Sequence, residues 1–324
     1  MKPFESFLAP HLDDYLRYRE GLGYALRPCR DHLRLFDRYL HQSGADWNSL
    51  HPSFFLHMRT NLAMEAVSVN HVLSVTRGFF HFLVRKGLFE KNPLLDIPPL
   101  REEIIVPFIC SPEQTDQLLK TLCKTMQRRK ASFLIELATY IAILLMARCG
   151  LRISEPLHLL KRHYRKEEGT IYIEKTKFSK DRLIPIPKTF MQEMDNYLSV
   201  RTSLCPQDPN PYLLASRGLS PLSDQKVRAC FHQAVREMGI HQPRRKLGNM
   251  IFNPPTPHCL RHSFAVNTLK AIKERGQSPQ HALPVLAAYL GHTTFLHTSI
   301  YLKVADASSR KHLYDFSVWQ RGRM

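Results

Sequence analysis

The sequence predicts a mainly α-helical fold with one small antiparallel β hairpin, divided between two domains. Apolar residues recur at helical spacing through most of the first hundred positions, and prolines interrupt that pattern after residue 92. Beyond the prolines, helical patterns resume and only two short segments alternate as strands do. With 324 residues and 44% hydrophobic content, the chain is long enough to bury a separate core in each domain.

The first domain, residues 1–98, is predicted to be a small helical bundle. Apolar side chains recur every three or four residues in four stretches, which is the spacing of one buried helix face. The positions that define these stretches are Phe4, Phe7, Leu8, Leu12, Tyr15 and Leu16, then Leu33, Phe36, Tyr39 and Leu40, then Phe54, Phe55 and Met58, and finally Val72, Val75, Phe79, Phe82 and Leu83.

A linker is predicted at residues 99–108, directly after the bundle. Pro93, Pro98 and Pro99 lack the backbone N–H that a helix interior requires, and each disfavours helical geometry in the residue before it. The chain is therefore expected to run extended here and to separate the two domains.

The second domain, residues 109–324, is predicted to begin with a capped helix. In SPEQ, Ser111 and Gln114 have the spacing of a capping box, and Pro112 takes the first helical position. The only convincing strands are TIYI at 170–173 and RLIPIP at 182–187, which form a hairpin within an otherwise helical domain.

The charge of the chain predicts a polyanionic partner. Lys and Arg number 46 against 28 Asp and Glu, which gives a formal net charge of +18. The basic residues recur throughout the chain instead of forming one tail. An excess of this size indicates a nucleic-acid surface more strongly than a device for solubility.

No membrane span, secretory signal or metal centre is predicted. The longest apolar run, residues 133–147, contains Glu136 and is shorter than the ~20 residues of a span, so it is predicted to be a buried helix. The charged amino-terminal segment lacks the apolar stretch of a signal peptide, so we expect a cytoplasmic protein. The seven cysteines include no CxxC pair, which favours reduced thiols without a structural metal or cofactor.

Four polar clusters follow one another along the second domain. Each alone is weak evidence, because charged residues at this spacing also occupy solvated helix faces, and a plain helix would place Tyr301 beside a buried stripe of Leu296, Ile300 and Val304. Their joint order is the informative feature. The clusters are CGLRISEPLHLL (149–160), KTKFSKDRLIPIP (175–187), HCLRHSF (258–264) and LGHTTFLHTSIYLKV (290–304).

In this order the clusters resemble the tyrosine recombinases, also called the phage integrase family, which includes the Xer recombinases. The resemblance covers both predicted domains. It implies a helical, SAM-like core-binding domain that binds DNA, followed by an integrase-type catalytic domain. It also implies a site-specific recombinase that works without ATP, metal or another cofactor.

The resemblance assigns the catalytic residues. Thr176 and Phe178 stand where the family usually has glycines, so Lys175 and Lys180 remain rivals for the position of the catalytic lysine. The assigned residues are Arg152 with Glu155 as its acidic supporter in GLRISE, Lys177 on the hairpin, His258 and Arg261 in HxxR, His292 in LGH, and the nucleophile Tyr301 nine residues later.

These residue types suit attack by a tyrosine on a phosphodiester. Two arginine forks can neutralise the charge that develops on the phosphate, and His292 can donate a further hydrogen bond. His258 is expected to titrate near neutrality and to accept the proton of Tyr301. Lys177 is the candidate acid for the departing 5′ oxygen. The resulting 3′-phosphotyrosine retains the free energy of the broken bond and allows religation to a new strand.

The partners implied by the resemblance are double-stranded DNA and further copies of the chain. Four protomers would act on two recombination sites, with or without a second recombinase, in the cytoplasm and on the nucleoid when bound to DNA. The apolar tail residues Leu313, Phe316, Val318 and Trp319 either pack on their own domain or dock on a neighbouring protomer.

Three other functions compete with site-specific recombination as interpretations of this sequence. A type IB topoisomerase shares the catalytic residues but swivels a single duplex, and a DNA-binding regulator could keep the fold without catalysis. A metal-dependent nuclease is disfavoured, because no Asp and Glu cluster suited to Mg²⁺ accompanies the histidines.

Overall fold

The computed structural model describes residues 2–126, 130–174, 181–216, 218–292, 298–299 and 301–302. Its described part is mainly helical with short strands, which confirms the predicted fold class. The chain divides into two compact units, Met1–Ile104 and Ile105–Met324. The division falls inside the segment that was predicted as a linker.

The first unit contains the four predicted helices. They bury the apolar faces that the periodicity identified, and a short 3₁₀ turn that was not predicted lies between the second and third. These elements are α1 (Ala9–Gly21), α2 (Leu26–Ser43), the turn at Trp47–Ser49, α3 (Pro52–Asn61) and α4 (Ala66–Arg85).

Aromatic side chains form the centre of this first core. Phe36, Phe55, Phe79 and Phe80 are fully buried, and the rings of Phe55 and Phe80 pack edge to face with centroids 5.2 Å apart. Such edge-to-face contacts add to the free energy gained by removing the rings from water. The aromatic residues of α2, α3 and α4 therefore hold these three helices together.

The second unit is built around one apolar helix. Helix α6 packs against α5, α8, α9 and α10, and most of its apolar side chains are buried. Helix α5 begins with the predicted capping box, since Ser111 Oγ accepts from the backbone N–H of Gln114 and Gln114 Oε1 accepts from that of Ser111. The helices are α5 (Pro112–Thr125), α6 (Lys130–Cys149), α7 (Ser154–Leu157), α8 (Lys188–Leu204), α9 (Asp224–Glu237), α10 (Pro257–Glu274) and α11 (Pro279–Leu290).

The predicted hairpin is present and belongs to a three-stranded antiparallel sheet. Strand β3 (Thr170–Ile173) pairs with β4 (Arg182–Pro185), with Ile171 opposite Ile184, and β2 (Tyr164–Arg165) adds to its other edge. Both isoleucines are fully buried, so this register presents the apolar face of the sheet to the core.

A second small sheet was not predicted from the sequence. It has the strand order β1-β6-β5 and contains β1 (Ile104–Val106), β5 (Arg245–Leu247) and β6 (Met250–Phe252). All of β5 is exposed, so it lacks the alternation of apolar and polar residues that identifies a half-buried strand.

One helix in the described part of the chain has the length and composition of a membrane span. The window 132–149 within α6 has a mean hydropathy of 1.7, but 61% of it is buried inside the protein. That burial agrees with the predicted core helix, because a packed core helix satisfies the same criteria of length and composition.

Gly150 provides a test of how tightly the second core is packed. Its φ is +61°, and a Cβ atom there would lie 2.6 Å from Phe264 Cδ1. We expect Gly150→Ala to lower the free energy of unfolding of the second unit by about 2–4 kcal/mol, through backbone strain and overpacking together. Urea denaturation of the full chain, followed by circular dichroism, would measure the loss.

Gly248→Ala is the matched control. Gly248 has a φ of +60°, but a Cβ atom there would meet nothing within 4 Å, so only the strain of about 1 kcal/mol remains. Equal losses in the two variants would show that the contact with Phe264 contributes nothing.

Candidate active site

The structure brings the described site residues together within the second unit. Arg152 lies two residues before α7 and Glu155 in its first turn, His258 and Arg261 lie on α10, and His292 follows the residue that caps the end of α11. The nucleophile candidate, Tyr301, packs with buried residues of α10 and α11. Lys177, its rivals Lys175 and Lys180, and the stripe residues Leu296, Ile300 and Val304 lie outside the described residues.

Glu155 is the centre of the charged part of the site. Its carboxylate accepts from Arg152 Nη1 at 2.9 Å, from the Arg152 backbone N–H at 2.9 Å, and from Arg182 Nη1 and Nη2 at 3.1 and 2.9 Å. Arg261 Nη1 lies 4.0 Å away. Burial of Glu155 opposes its charge, but the hydrogen bonds and charge of Arg182 outweigh that effect and hold the pKa of the carboxyl below its ordinary value.

The same three arginines bind the last carbonyl groups of α11. Arg182 Nε donates to Tyr289 O at 2.8 Å, Arg261 Nη2 donates to Leu290 O at 2.5 Å, and Arg152 Nη2 donates to Gly291 O at 3.3 Å. A helix leaves these carbonyls without backbone partners at its carboxyl end, where its dipole also favours positive charge. The arginines therefore fix the end of α11 and the start of the segment that carries His292.

The conformation of Gly291 explains why the LGH motif contains a glycine. It ends α11 with a φ of +67°, and a Cβ atom there would lie 3.0 Å from Arg182 Nη1. Glycine adopts this left-handed conformation without strain and also leaves room for the guanidinium.

Arg182 is a site residue that the sequence prediction missed. It shares a face of β4 with the buried Ile184, and only 9% of its side chain is exposed. A charged residue at an inward position of a strand requires a charged or polar partner. The sequence contained that signal, but the partner, Glu155, precedes Arg182 by 27 positions and could not be identified before the fold was known.

The two predicted catalytic arginines differ in their access to solvent. Arg261 is 1% exposed and also donates to Gly150 O at 2.8 Å, whereas 20% of the Arg152 side chain is exposed. Burial, and then the charge of Arg152, lower the pKa of Arg261 to about 10. Arg261 therefore keeps its positive charge at neutral pH, and of the two arginines only Arg152 reaches solvent to a substantial degree.

Tyr301 is buried and protonated in this state of the protein. It is 3% exposed, and burial raises its pKa above the ordinary value, although the charges of Arg261 and Arg152 oppose the rise. Its Oη atom lies 3.1 Å from Nδ1 of His262, a residue that the sequence prediction did not assign to the site. His262 directly follows Arg261 in the cluster HCLRHSF, so nothing but its neighbourhood pointed to it.

The contacts of His258 and His292, the two histidines predicted to act in catalysis, were not predicted from the sequence. His258 packs edge to face on His262, with ring centroids 4.6 Å apart, and its pKa is lowered to about 4 by burial and by the nearby charges of Arg261 and Arg152. This pKa lies below the value near neutrality that the sequence prediction gave, although the residue as a whole keeps contact with solvent. His292 Nδ1 lies 2.7 Å from Thr298 Oγ1, and its ring stacks against Tyr301.

The described residues form no cluster of metal ligands. Among the residues that the structure describes, no group of three or more His, Cys, Asp or Glu side chains could hold a metal ion.

The partial burial of His262 predicts a loss of stability in acid. Its pKa is lowered to about 3, chiefly by burial and then by the charges of His258, Arg261 and His292. Below pH 6.5 the unfolded chain takes up a proton at this residue while the folded chain does not, so stability is present above that pH and is lost as the pH falls toward the folded pKa.

The matched variant is His262→Asn, which removes this titration. Between pH 7.5 and 5.5 we expect the wild-type chain to lose about 1.4 kcal/mol of unfolding free energy relative to the variant. Urea denaturation of both proteins at the two pH values would measure the difference. A difference that does not change with pH would contradict the burial of a neutral His262.

Comparison with known proteins agrees with this arrangement. The model of the phage integrase family matches residues 110–308, which is well over half of the chain. Tyrosine recombinase XerA of Thermococcus kodakarensis is 28% identical over 304 residues, covering 93% of this chain and 93% of that protein.

Solved structures of low sequence identity share the fold. The XerH site-specific recombinase bound to a palindromic difH substrate, in a post-cleavage complex, matches 95% of this chain and 84% of that one, with a TM-score of 0.68 and 19% identity. A lambda integrase tetramer bound to a Holliday junction matches 89% of this chain and 77% of that one, with a TM-score of 0.62 and 15% identity. Because the family model matches more than half of the chain, the chain belongs to the phage integrase family.

Proposed function

We propose that this protein is a site-specific DNA recombinase that cleaves and rejoins DNA through a 3′-phosphotyrosine intermediate. The observation that carries the proposal is the convergence of Tyr301 with Arg152 and Arg261, residues that lie far apart in the sequence, in a member of the phage integrase family. Such a site provides a nucleophile and two cations for one phosphate. Integration, excision, transposition and resolution of DNA dimers all use this chemistry.

Arg152 and Arg261 bind the non-bridging oxygens of the phosphate. Arg152, whose side chain is partly exposed, is placed to take the first non-bridging oxygen, and Glu155 fixes its fork. Arg261 lies beside Tyr301 but donates to the carbonyls of Gly150 and Leu290. Binding of a phosphate would therefore exchange at least one of these carbonyl bonds for a phosphate bond, and the developing negative charge favours that exchange.

The remaining predicted residues complete the reaction. His292 adds a hydrogen bond to the phosphate, and Lys177 protonates the departing 5′ oxygen from its position on the hairpin between β3 and β4. His258, at the exposed start of α10, faces the arriving phosphate, whose negative charge would raise its low pKa. These roles follow from the family motifs and from the chemistry of each side chain.

Double-stranded DNA and three further protomers are the partners. The net charge of +18 suits a duplex, and the helical first domain, residues 1–98, acts as the core-binding domain. The shared fold with a lambda integrase tetramer on a Holliday junction supports four copies on two sites. The protein then works in the cytoplasm, and on the nucleoid when it is bound to DNA. Its apolar tail residues, Leu313, Phe316, Val318 and Trp319, lie outside the described residues.

The nucleophile is tested with a trapped intermediate. The full chain would select its site from random-sequence duplexes, and that site would then be nicked so that cleavage releases a short fragment and the protein stays attached. The reactions contain a chelator, so that a metal-dependent nuclease cannot contribute. We expect the wild-type chain to form the adduct and Tyr301→Phe to form none. We expect the affinity of Tyr301→Phe for DNA to change by less than about twofold, since contacts with the DNA backbone supply most of the binding. Denaturing gels and gel shifts at several salt concentrations give the two measurements.

An adduct that survives in Tyr301→Phe and maps to another residue would refute the assignment. Specific binding without an adduct in the wild-type chain would instead indicate a regulator without catalysis. Relaxation of supercoiled plasmid without exchange between two sites would indicate a nicking and closing enzyme.

The general acid is tested by changing the leaving atom. An alkoxide leaves with a conjugate-acid pKa near ~15.7 and needs a proton, whereas a thiolate near ~8.5 hardly needs one. We expect Lys177→Ala to slow cleavage of the oxygen substrate by roughly 10²-fold or more, and a sulfur at the bridging 5′ position to restore most of the rate.

Arg152→Ala is the matched control for this rescue. It should stay roughly 10²-fold slow on both substrates, because changing the leaving atom does not replace the charge on the non-bridging oxygens. Equal rescue of both variants would contradict the division of roles. Rescue of Lys175→Ala or Lys180→Ala alone would move the acid along the hairpin.

A further inference from the structure

We propose that His262 is the proton acceptor for Tyr301: its Nδ1 atom accepts the hydrogen bond of the hydroxyl and receives the proton when that oxygen attacks phosphorus. The proposal rests on the proposed function, because it assigns a step of the same cleavage reaction. It differs from the sequence prediction, which gave this role to His258.

The first argument is distance and enclosure. Tyr301 Oη lies 3.1 Å from His262 Nδ1, and the two rings are tilted with centroids 5.6 Å apart. Tyr301 is only 3% exposed, so bulk water has little access to its proton. His258 packs on the ring of His262, with centroids 4.6 Å apart, and no hydrogen bond joins it to Tyr301 among the described contacts. His262 is thus the imidazole that holds the hydrogen bond to the nucleophile.

The second argument is the direction of the hydrogen bond. The positive charge of Arg261 acts on Tyr301, and a guanidinium has hydrogens only to donate. The hydroxyl proton of Tyr301 is therefore directed away from Arg261, toward a group that can accept it. Nδ1 of a neutral histidine can accept it, provided that the ring carries its single hydrogen on Nε2.

The charges around His262 keep that ring neutral. His258 and Arg261 face it from its own helix, α10, and His292 faces it from the segment after α11. These neighbours and burial lower its pKa to about 3 in the protein without DNA. The ring is therefore neutral at working pH and carries a single hydrogen, which the proposal places on Nε2, and an arriving phosphate anion raises the basicity of Nδ1 when the transfer is required.

The proton balance of cleavage is complete with this assignment. The O–H proton of Tyr301 moves to His262 Nδ1 as the tyrosine oxygen forms a bond to phosphorus. The bond between phosphorus and the 5′ oxygen breaks, and that oxygen takes a proton from the acid assigned above to Lys177. In religation the incoming 5′ hydroxyl loses its proton to the lysine, and His262 returns its proton to the departing tyrosine.

The tautomer of His262 provides a test that needs no DNA. Two-bond ¹H–¹⁵N correlation spectra of the full chain, labelled at histidine, should show His262 protonated on Nε2 with a bare Nδ1. The Nδ1 resonance should shift in Tyr301→Phe, which lacks the hydrogen-bond donor. A ring that carries its proton on Nδ1 would overturn the proposal, even if the variants below were too unstable to measure.

The second test is the rate of adduct formation. On the nicked duplex described above, His262→Asn keeps an acceptor near Nδ1 but cannot take up a proton, so we expect cleavage to slow by roughly 10²-fold or more with DNA affinity unchanged. His262→Ala should be accelerated by added imidazole in proportion to its free-base fraction. The exposed residue His281 on α11 supplies the control, and His281→Asn should react at the wild-type rate.

The outcomes separate this proposal from the one on which it rests. If the wild-type chain and His281→Asn form no adduct, the proposed function fails and this step falls with it. If both react and His262→Asn reacts within about twofold of them, His262 is not the acceptor while the recombinase assignment stands. A slow His262→Ala that imidazole does not accelerate, with an unchanged pH profile, would reduce His262 to a packing residue.

Discussion

The carboxylate of Glu155 is the charge on which the rest of the site depends. Arg152, Arg182 and Arg261 surround it within 4.0 Å, and the side chains of Arg182 and Arg261 are almost completely buried. Three guanidinium groups in so small a volume repel one another strongly, and burial strengthens that repulsion. Glu155 offsets it, and in return the arginines satisfy a carboxylate that would otherwise be costly to bury. Removal of either partner leaves an unpaired buried charge.

This cluster also joins elements that no single helix could bring together. The arginines come from the residues just before α7, from β4 and from α10, and all three donate to the carboxyl end of α11. That end determines where the chain emerges at Gly291 and therefore where His292 lies. A cation cluster suited to a phosphate is thus also the anchor of the segment that leads to the proposed nucleophile, Tyr301.

Much of this architecture could be predicted from local signals. The helices follow from apolar periodicity, and the start of α5 follows from its capping box, because these effects act within a few residues. The hairpin of β3 and β4 follows from alternation and burial. The family motifs located Arg152, Arg261, His292 and Tyr301, which the structure places in one site.

The predictions that failed concern contacts across the fold. Arg182 and His262 acquire their importance from Glu155 and Tyr301, and no local pattern records a partner that is distant in sequence. The low pKa of His258 is of the same kind, since it comes from burial and from arginines that the fold brings near. Strand β5 was missed for another reason, namely that an exposed strand lacks an apolar face.

The position of Tyr301 is compatible with both interpretations of its segment, as part of a buried helix and as part of an active site. It packs against Leu269, Leu290 and other buried residues, as a plain helix stripe would require, and it is also within hydrogen-bond distance of His262. Burial raises its pKa and keeps the phenol protonated, while Arg261 and Arg152 oppose that effect. Since a protonated phenol is a poor nucleophile, the proposed nucleophile would be inert in the protein without DNA. Under the proposal that His262 accepts its proton, the negative charge of a bound phosphate would strengthen His262 as a base, so the substrate itself would supply the change that activates the tyrosine.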